Sequence, residues 1–298
     1  AMTMSAKQMR VGVGLSTRLS TSPLSAGHEA AIEACRALGI EPTGLKRHRH
    51  VAVCLIDGRS GKEESFIAGA AAAVPSIGIV GGSASDELGG PPRTRIIANG
   101  AAIEGAGLVL LFETTIPFSV VVSEHMVPTD KRVVVTDSDP GTRTVHELNG
   151  RPAVEVYQEL IQQPVDNQVA ARKPLAQYLG GRAYIRSVME VQGTSLRFAC
   201  AVENGVILRL VEPGNIIERT AESLGEAEAE VGGEIGALIA FNCLGRFLEV
   251  EATGQTAELA RLIGKYPVVG FNTFGEQAGA LHVNHTLTAL AFGRGAGG

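Results

Sequence analysis

Val51-Ala-Val-Cys-Leu-Ile-Asp-Gly-Arg59, a helical stretch, then Pro75-Ser-Ile-Gly-Ile79 is the segment that decides the fold. A continuous apolar run, a Gly-Arg corner, a helix, a proline and a second apolar run read as strand, helix, strand. Such runs suit strands covered on both faces, and a crossover of this length favours parallel pairing. The order returns in Leu238-Ile-Ala-Phe-Asn-Cys-Leu-Gly-Arg246, a helix, then Pro267-Val-Val-Gly-Phe271. The shared order predicts a degenerate internal duplication. The fold class expected is α/β, with two related αβ halves, mixed sheets and a ligand cleft between them. The halves run over 10–161 and 174–296.

Working outward, Met9 to Ser16 reads as a short strand. A helix follows, with Ser25 as its cap, Ala31, Ile32, Cys35 and Leu38 as its apolar stripe, and Gly39 at C′. Lys62 to Val74 is an alanine-rich helix stopped by Pro75. Arg95 to Ala98, Asn99-Gly100 and Leu108 to Phe112 suggest strands paired around a turn. Phe118 to Val122 and Arg132 to Thr136 continue the sheet. Pro152 to Ile161 reads as a helix and Gln162 to Lys173 as a linker. Leu196 to Val202, Asn204-Gly205 and Val206 to Val211 read as a hairpin. Asn215 to Glu230 and Gln255 to Ile263 are helices, and Ile235 to Asn242 and Thr286 to Phe292 are strands.

Composition removes several function classes. In 298 residues, 45% are hydrophobic and 19% charged, the balance of a chain that buries a large core. The net charge of −5, the absence of tryptophan and the 4% aromatic content argue against nucleic-acid binding. No apolar run approaches the roughly 18–20 residues that span a bilayer. Ala1 to Arg10 lacks an apolar h-region, so a cytoplasmic chain is expected. Cys35, Cys54, Cys200 and Cys243 sit among apolar neighbours without metal-ligand spacing, as buried free thiols do.

In open α/β sheets, ligands sit beyond the carboxyl ends of strands. That places attention on two polar segments. Gly81-Gly82-Ser83-Ala84-Ser85-Asp86 reads as a loop offering backbone N–H groups, two hydroxyls and a carboxylate to an anion. It is neither a Walker A loop nor GxGxxG. Asn272, Thr273, Gly275 and Glu276 follow the matching strand, with Glu276 as a base or ligand contact. Arg59 and Arg246 are repeat-related clamps for a carboxylate, and Cys243 closes its strand beside Arg246. His282, Asn284 and His285 precede the final strand, where a hydrogen-bonded structural role is the commoner outcome for a histidine.

These residues, in this order, resemble the FIST (F-box and intracellular signal transduction) family, a bacterial sensory domain with N- and C-terminal regions. The first region is carried by Gly81 to Asp86, Asn99-Gly100 and Gly107-Leu-Val-Leu-Leu-Phe112. The second is carried by Phe241 to Arg246, Gly270-Phe-Asn-Thr-Phe-Gly-Glu276 and His282-Val-Asn-His-Thr-Leu-Thr288. The resemblance implies a small-molecule sensor. Its expected ligand is small and polar, an amino acid or a carboxylate. With no kinase, cyclase or receptor region in the chain, a signalling partner protein is expected, and a homodimer is the other protein partner considered. No cofactor is specified.

Two other readings stand beside the sensor. A hydrolase of a small cyclic substrate, of lactonase or amidohydrolase type, would use Ser83 as nucleophile and Glu276 or His285 as base. The Gly81-Gly82 N–H groups would then hold the oxyanion. A haem-based gas sensor would use His282 or His285.

Overall fold

The computed structural model describes residues 7–86 and 94–294. Ala1 to Ala6, at the start of the segment searched for a signal, lie outside them, as do residues 295–296 at the end of the second expected half. The chain forms two compact units. The first takes 1–123, 220–282 and 286–298; the second takes 124–219 with 283–285.

The first unit is built on two sheets. One has six strands in the order Met9–Ser16, Gly107–Thr114, His50–Asp57, Gly78–Ala84, Glu276–Ala278 and Leu281–Val283. The other runs Val268–Thr273, Ile235–Cys243, Thr286–Gly293 and Phe118–Glu124. The strand His50–Asp57 shows why its sequence is apolar throughout. Ala52, Cys54 and Ile56 pack under the helices Pro23–Leu38 and Glu63–Ala73. Val51 and Val53 face the other way and share a core with Phe241, Leu290 and Phe292 of the second sheet. Period-2 alternation therefore sends apolar side chains into two cores, so no polar face is left to show in the sequence. On the far side of the second sheet, Leu238, Leu287 and Ala289 pack with Leu224 and Ala227 of the helix Ile216–Glu230. The unit is layered helix, sheet, sheet, helix.

The duplication is visible in the pairing. His50–Asp57 runs parallel to Gly78–Ala84, and Ile235–Cys243 runs parallel to Val268–Thr273. Gly107–Thr114 and Thr286–Gly293 flank them antiparallel. Met9–Ser16 and Phe118–Glu124 complete each set. The helix Pro23–Leu38 matches Ile216–Glu230, and Glu63–Ala73 matches the pair Leu244–Ala252 and Thr256–Ile263. The second unit is inserted in the second copy, after Phe118–Glu124 and before its first helix. The registers differ: Val51 lies opposite Gly78, whereas Leu238 lies opposite Val268.

The second unit is one antiparallel sheet. Its order is Arg182–Arg186, Leu175–Leu179, Ile207–Pro213, Met126–Asp139, Thr144–Leu148, Ser195–Phe198 and Val188–Gln192, with Arg151–Pro152 beside Thr144–Leu148. The helix Ala153–Ile161 covers its core through Val156 and Tyr157.

Several sequence expectations change. The helix begins at Pro23 with Ser22 as N-cap, not at Ser25, because proline suits the first turn; Gly39 ends it at φ 71° as expected. Ile96–Ala98 pairs with Ala101–Ile103, not with Leu108 to Phe112. Phe118 to Val122 and Arg132 to Thr136 belong to different sheets. Ser195–Phe198 and Ile207–Pro213 are not a hairpin, because the Asn204-Gly205 turn bonds elsewhere. Gly205 N–H donates to Val135 O at 2.8 Å, and Val135 N–H to Val206 O at 2.9 Å. Within Gln162 to Lys173 there is a helix, Asn167–Ala171, capped by Asp166 accepting from Val169 N–H at 2.8 Å.

Candidate functional site

The carboxyl ends of both parallel strand pairs meet in the first unit. A Cβ built on Gly58, in the first copy, would come 3.1 Å from Cβ of Phe274 in the second. Phe274 N–H donates to Ser83 O at 3.0 Å, and Ser83 N–H to Gly275 O at 2.9 Å. Val268–Thr273 ends in a tight reversal at Phe274-Gly275, with Gly275 at φ 99°, and the chain returns as Glu276–Ala278 alongside Gly78–Ala84. Gly81-Gly82-Ser83, expected as a loop, is instead the end of a strand with partners on both sides. Gly81 sits so close to the neighbouring strand that a Cβ would lie 1.9 Å from Cys54 O. Ladder pairing on both sides therefore occupies this backbone, and only Ser85 and Asp86 lie beyond the strand.

Glu276 is fully buried at the reversal. Its Oε1 is hydrogen-bonded with the Thr273 hydroxyl. Its Oε2 accepts from Thr286 N–H at 3.3 Å and from the Thr286 hydroxyl at 2.5 Å. The Cys243 side chain adds a further hydrogen bond. Burial pushes the carboxyl pKa up to about 8, and the hydrogen bonds offset part of that rise. Thr273 Oγ1 also lies 3.2 Å from Asn242 O. A hydroxyl carries one proton. If Thr273 gives it to Asn242 O, it can only accept from Glu276, which then carries a proton on Oε1. The geometry fits a neutral carboxylic acid.

Beside it, the Gln277 amide donates to Ser83 Oγ at 3.0 Å and lies 3.4 Å from His282 Nδ1. The Thr288 hydroxyl donates to Gly81 O at 3.0 Å. Ser83, Gln277 and Thr288 are wholly buried. Thr286 and Thr288 alternate along the last strand, so they share a face.

Arg246, read from sequence as a carboxylate clamp, lies within the helix Leu244–Ala252 and is fully buried. It donates to Thr220 Oγ1 at 2.7 Å and to Asn242 Oδ1 at 3.1 Å. Asn242 in turn donates to Asn272 Oδ1 at 3.0 Å, and Asn272 is exposed. Cys243 occupies the N-cap of the same helix. Arg59 lies 3.4 Å from Asp86, partly exposed, and Ser85 donates to Asp86 O at 3.0 Å. Asn284 and His285 fall in the second unit. Asn284 bridges Ile185, and His285 adopts φ 52°.

Thr273, Gly275, Glu276, Cys243, Ser83 and His282 are thus drawn into neighbouring polar contacts in one unit. Gln277, Thr286, Thr288 and Thr220 escaped the sequence reading. The Thr-x-Thr alternation at 286–288 was the available signal for two of them.

This arrangement defines a duplicated α/β sandwich with a buried carboxylic acid at the seam of its two copies. The chain belongs to the FIST family: the FIST N domain model matches residues 1–151 and the FIST C domain model residues 153–279. A search of curated proteins finds no match. Among solved structures, it is similar to cyanuric acid hydrolase from A. caulinodans at 11% identity, over 95% of this chain and 98% of that one, with a TM-score of 0.24. No helix among the described residues is long and apolar enough to cross a membrane.

Proposed function

We propose that this protein is a small-molecule-binding sensory module whose ligand is a small polar compound, an amino acid or a carboxylate, met at the carboxyl ends of the first unit's parallel strands. One observation carries the reading. Partly exposed groups from both copies, Arg59, Ser85 and Asp86 from one and Asn242 and Asn272 from the other, lie at strand ends that close over a buried acid. Donors and acceptors at a strand-end seam are what a small polar ligand requires. The sensory role rests on the family, and the signal would pass to a partner protein. A thermal-shift screen with free amino acids and small carboxylates tests it, since a ligand of the native state raises the melting temperature. A rise is expected that Arg59→Ala and Asn272→Ala each reduce. No rise with any compound counts against the reading.

The burial of the Glu276 carboxyl favours a second reading, a hydrolase of a small cyclic substrate. A carboxyl near pKa 8 is poised to give or take a proton at neutral pH. Turnover of a lactone or cyclic amide that Glu276→Gln abolishes would select this reading over the sensor.

A further inference from the structure

In the second unit, Arg186 ends the edge strand Arg182–Arg186 and is more than nine-tenths buried. A guanidinium has five N–H donors. Here Nη2 donates to Gln177 Oε1 at 3.1 Å, and Nη1 reaches Ile185 O only at 3.5 Å. Nε has no acceptor, and no carboxylate among the described residues pairs with the group. The next residue, Ser187, is equally buried, and its hydroxyl also lacks a partner. A buried cation without a counter-charge is held at a cost, and native structures rarely leave such donors unspent.

The register defines the surroundings. Arg186 stands opposite Leu175, and Tyr184 opposite Gln177, so Gln177, Tyr184 and Arg186 share one face of the sheet. The antiparallel bridge between Ile185 and Asn284 brings His285 beside Tyr184 on the open side of that strand. A charged donor, an amide, a phenol and an imidazole are gathered at one edge of the sheet.

We propose that Arg186 is the charged anchor of a binding site for a small oxyanion, a carboxylate or a phosphate, in the second unit. Gln177 fixes the plane of the guanidinium, and the Arg186 Nε–H is the donor left for the ligand. Arginine suits this role because its planar fork matches oxyanion geometry and keeps its charge when buried. The site is separate from the Glu276 cluster and does not depend on the function proposed for it.

Titration calorimetry on the full chain in a chloride buffer, with inorganic phosphate in one arm and succinate in the other, tests the proposal. Saturable binding in one arm is expected, and the arm that binds identifies the anion. Arg186→Gln is expected to weaken it by about tenfold to a hundredfold, the loss of one charge-assisted contact. Gln177→Ala is expected to weaken it severalfold and serves where Arg186→Gln fails to fold. Glu276→Gln leaves the affinity unchanged. The proposal is overturned if neither anion binds, if Arg186→Gln folds and binds as before, if Gln177→Ala leaves the affinity unaltered, or if Glu276→Gln alone abolishes binding.

Discussion

Thr286 holds Oε2 of Glu276 twice, through its backbone N–H at 3.3 Å and its hydroxyl at 2.5 Å. The two donors spend the acceptor capacity of one oxygen and leave Oε1 facing Thr273, whose own proton has a second acceptor in Asn242 O. Burial is what favours a proton on the carboxyl, and the hydrogen bonds from Thr273, Thr286 and Cys243 work against it.

That proton makes stability pH-dependent with a definite sign. The folded pKa is raised from 4.5 to about 8. Between those values the folded state binds more protons than the unfolded state, so stability falls as pH rises through the window and is flat above it. The linkage amounts to at most about 5 kcal/mol at ~1.4 kcal/mol per pH unit. Glu276→Gln keeps the shape and neutrality, and its amide can still donate toward Thr273. Urea unfolding across the window should show the slope in the parent and not in the variant. An unchanged slope would remove Glu276 as its source.

Gly81 and Gly225 should respond in opposite directions to alanine. A Cβ at Gly81 meets Cys54 O at 1.9 Å, inside a ladder that cannot shift without losing its bonds. Gly81→Ala is expected to cost on the order of 3–5 kcal/mol. Gly225 is exposed in the helix Ile216–Glu230, with nothing within 4 Å of its Cβ position. Gly225→Ala should stabilise by about 0.5–1 kcal/mol. Thermal unfolding of both variants against the parent measures the contrast.

Arg246→Lys separates a structural arginine from a ligand clamp. The parent side chain reaches Thr220 and Asn242 at once from a fully buried position. A lysine ammonium cannot span both, so a loss on the order of 3 kcal/mol is expected. Loss of ligand response at unchanged stability would instead restore the clamp.

Much of the first unit was legible because each decisive signal is local. The apolar run Val51 to Ile56 marks a strand covered on both faces, Gly39 a helix end, and the two strand-helix-proline-strand segments a duplication. Pairing over long separations was not legible. Asn204-Gly205 looks like a hairpin turn to any local rule, yet Gly205 N–H donates to Val135 O and Val135 N–H donates to Val206 O, which ties the turn to the strand Met126–Asp139. Glu276 was singled out by its place after a strand, and its protonation was not, because Cys243, Thr273 and Thr286 reach it from other elements.

The sequence by itself determined the order and type of most elements, the duplication and the FIST membership, since periodicity and motif order are properties of neighbouring residues. Only the tertiary structure decided that the second copy carries an inserted sheet, that Gly81 to Ser83 form a strand end, and that Glu276 is enclosed by donors. Those features depend on strand pairing and on desolvation, and both arise only when distant segments exclude water together.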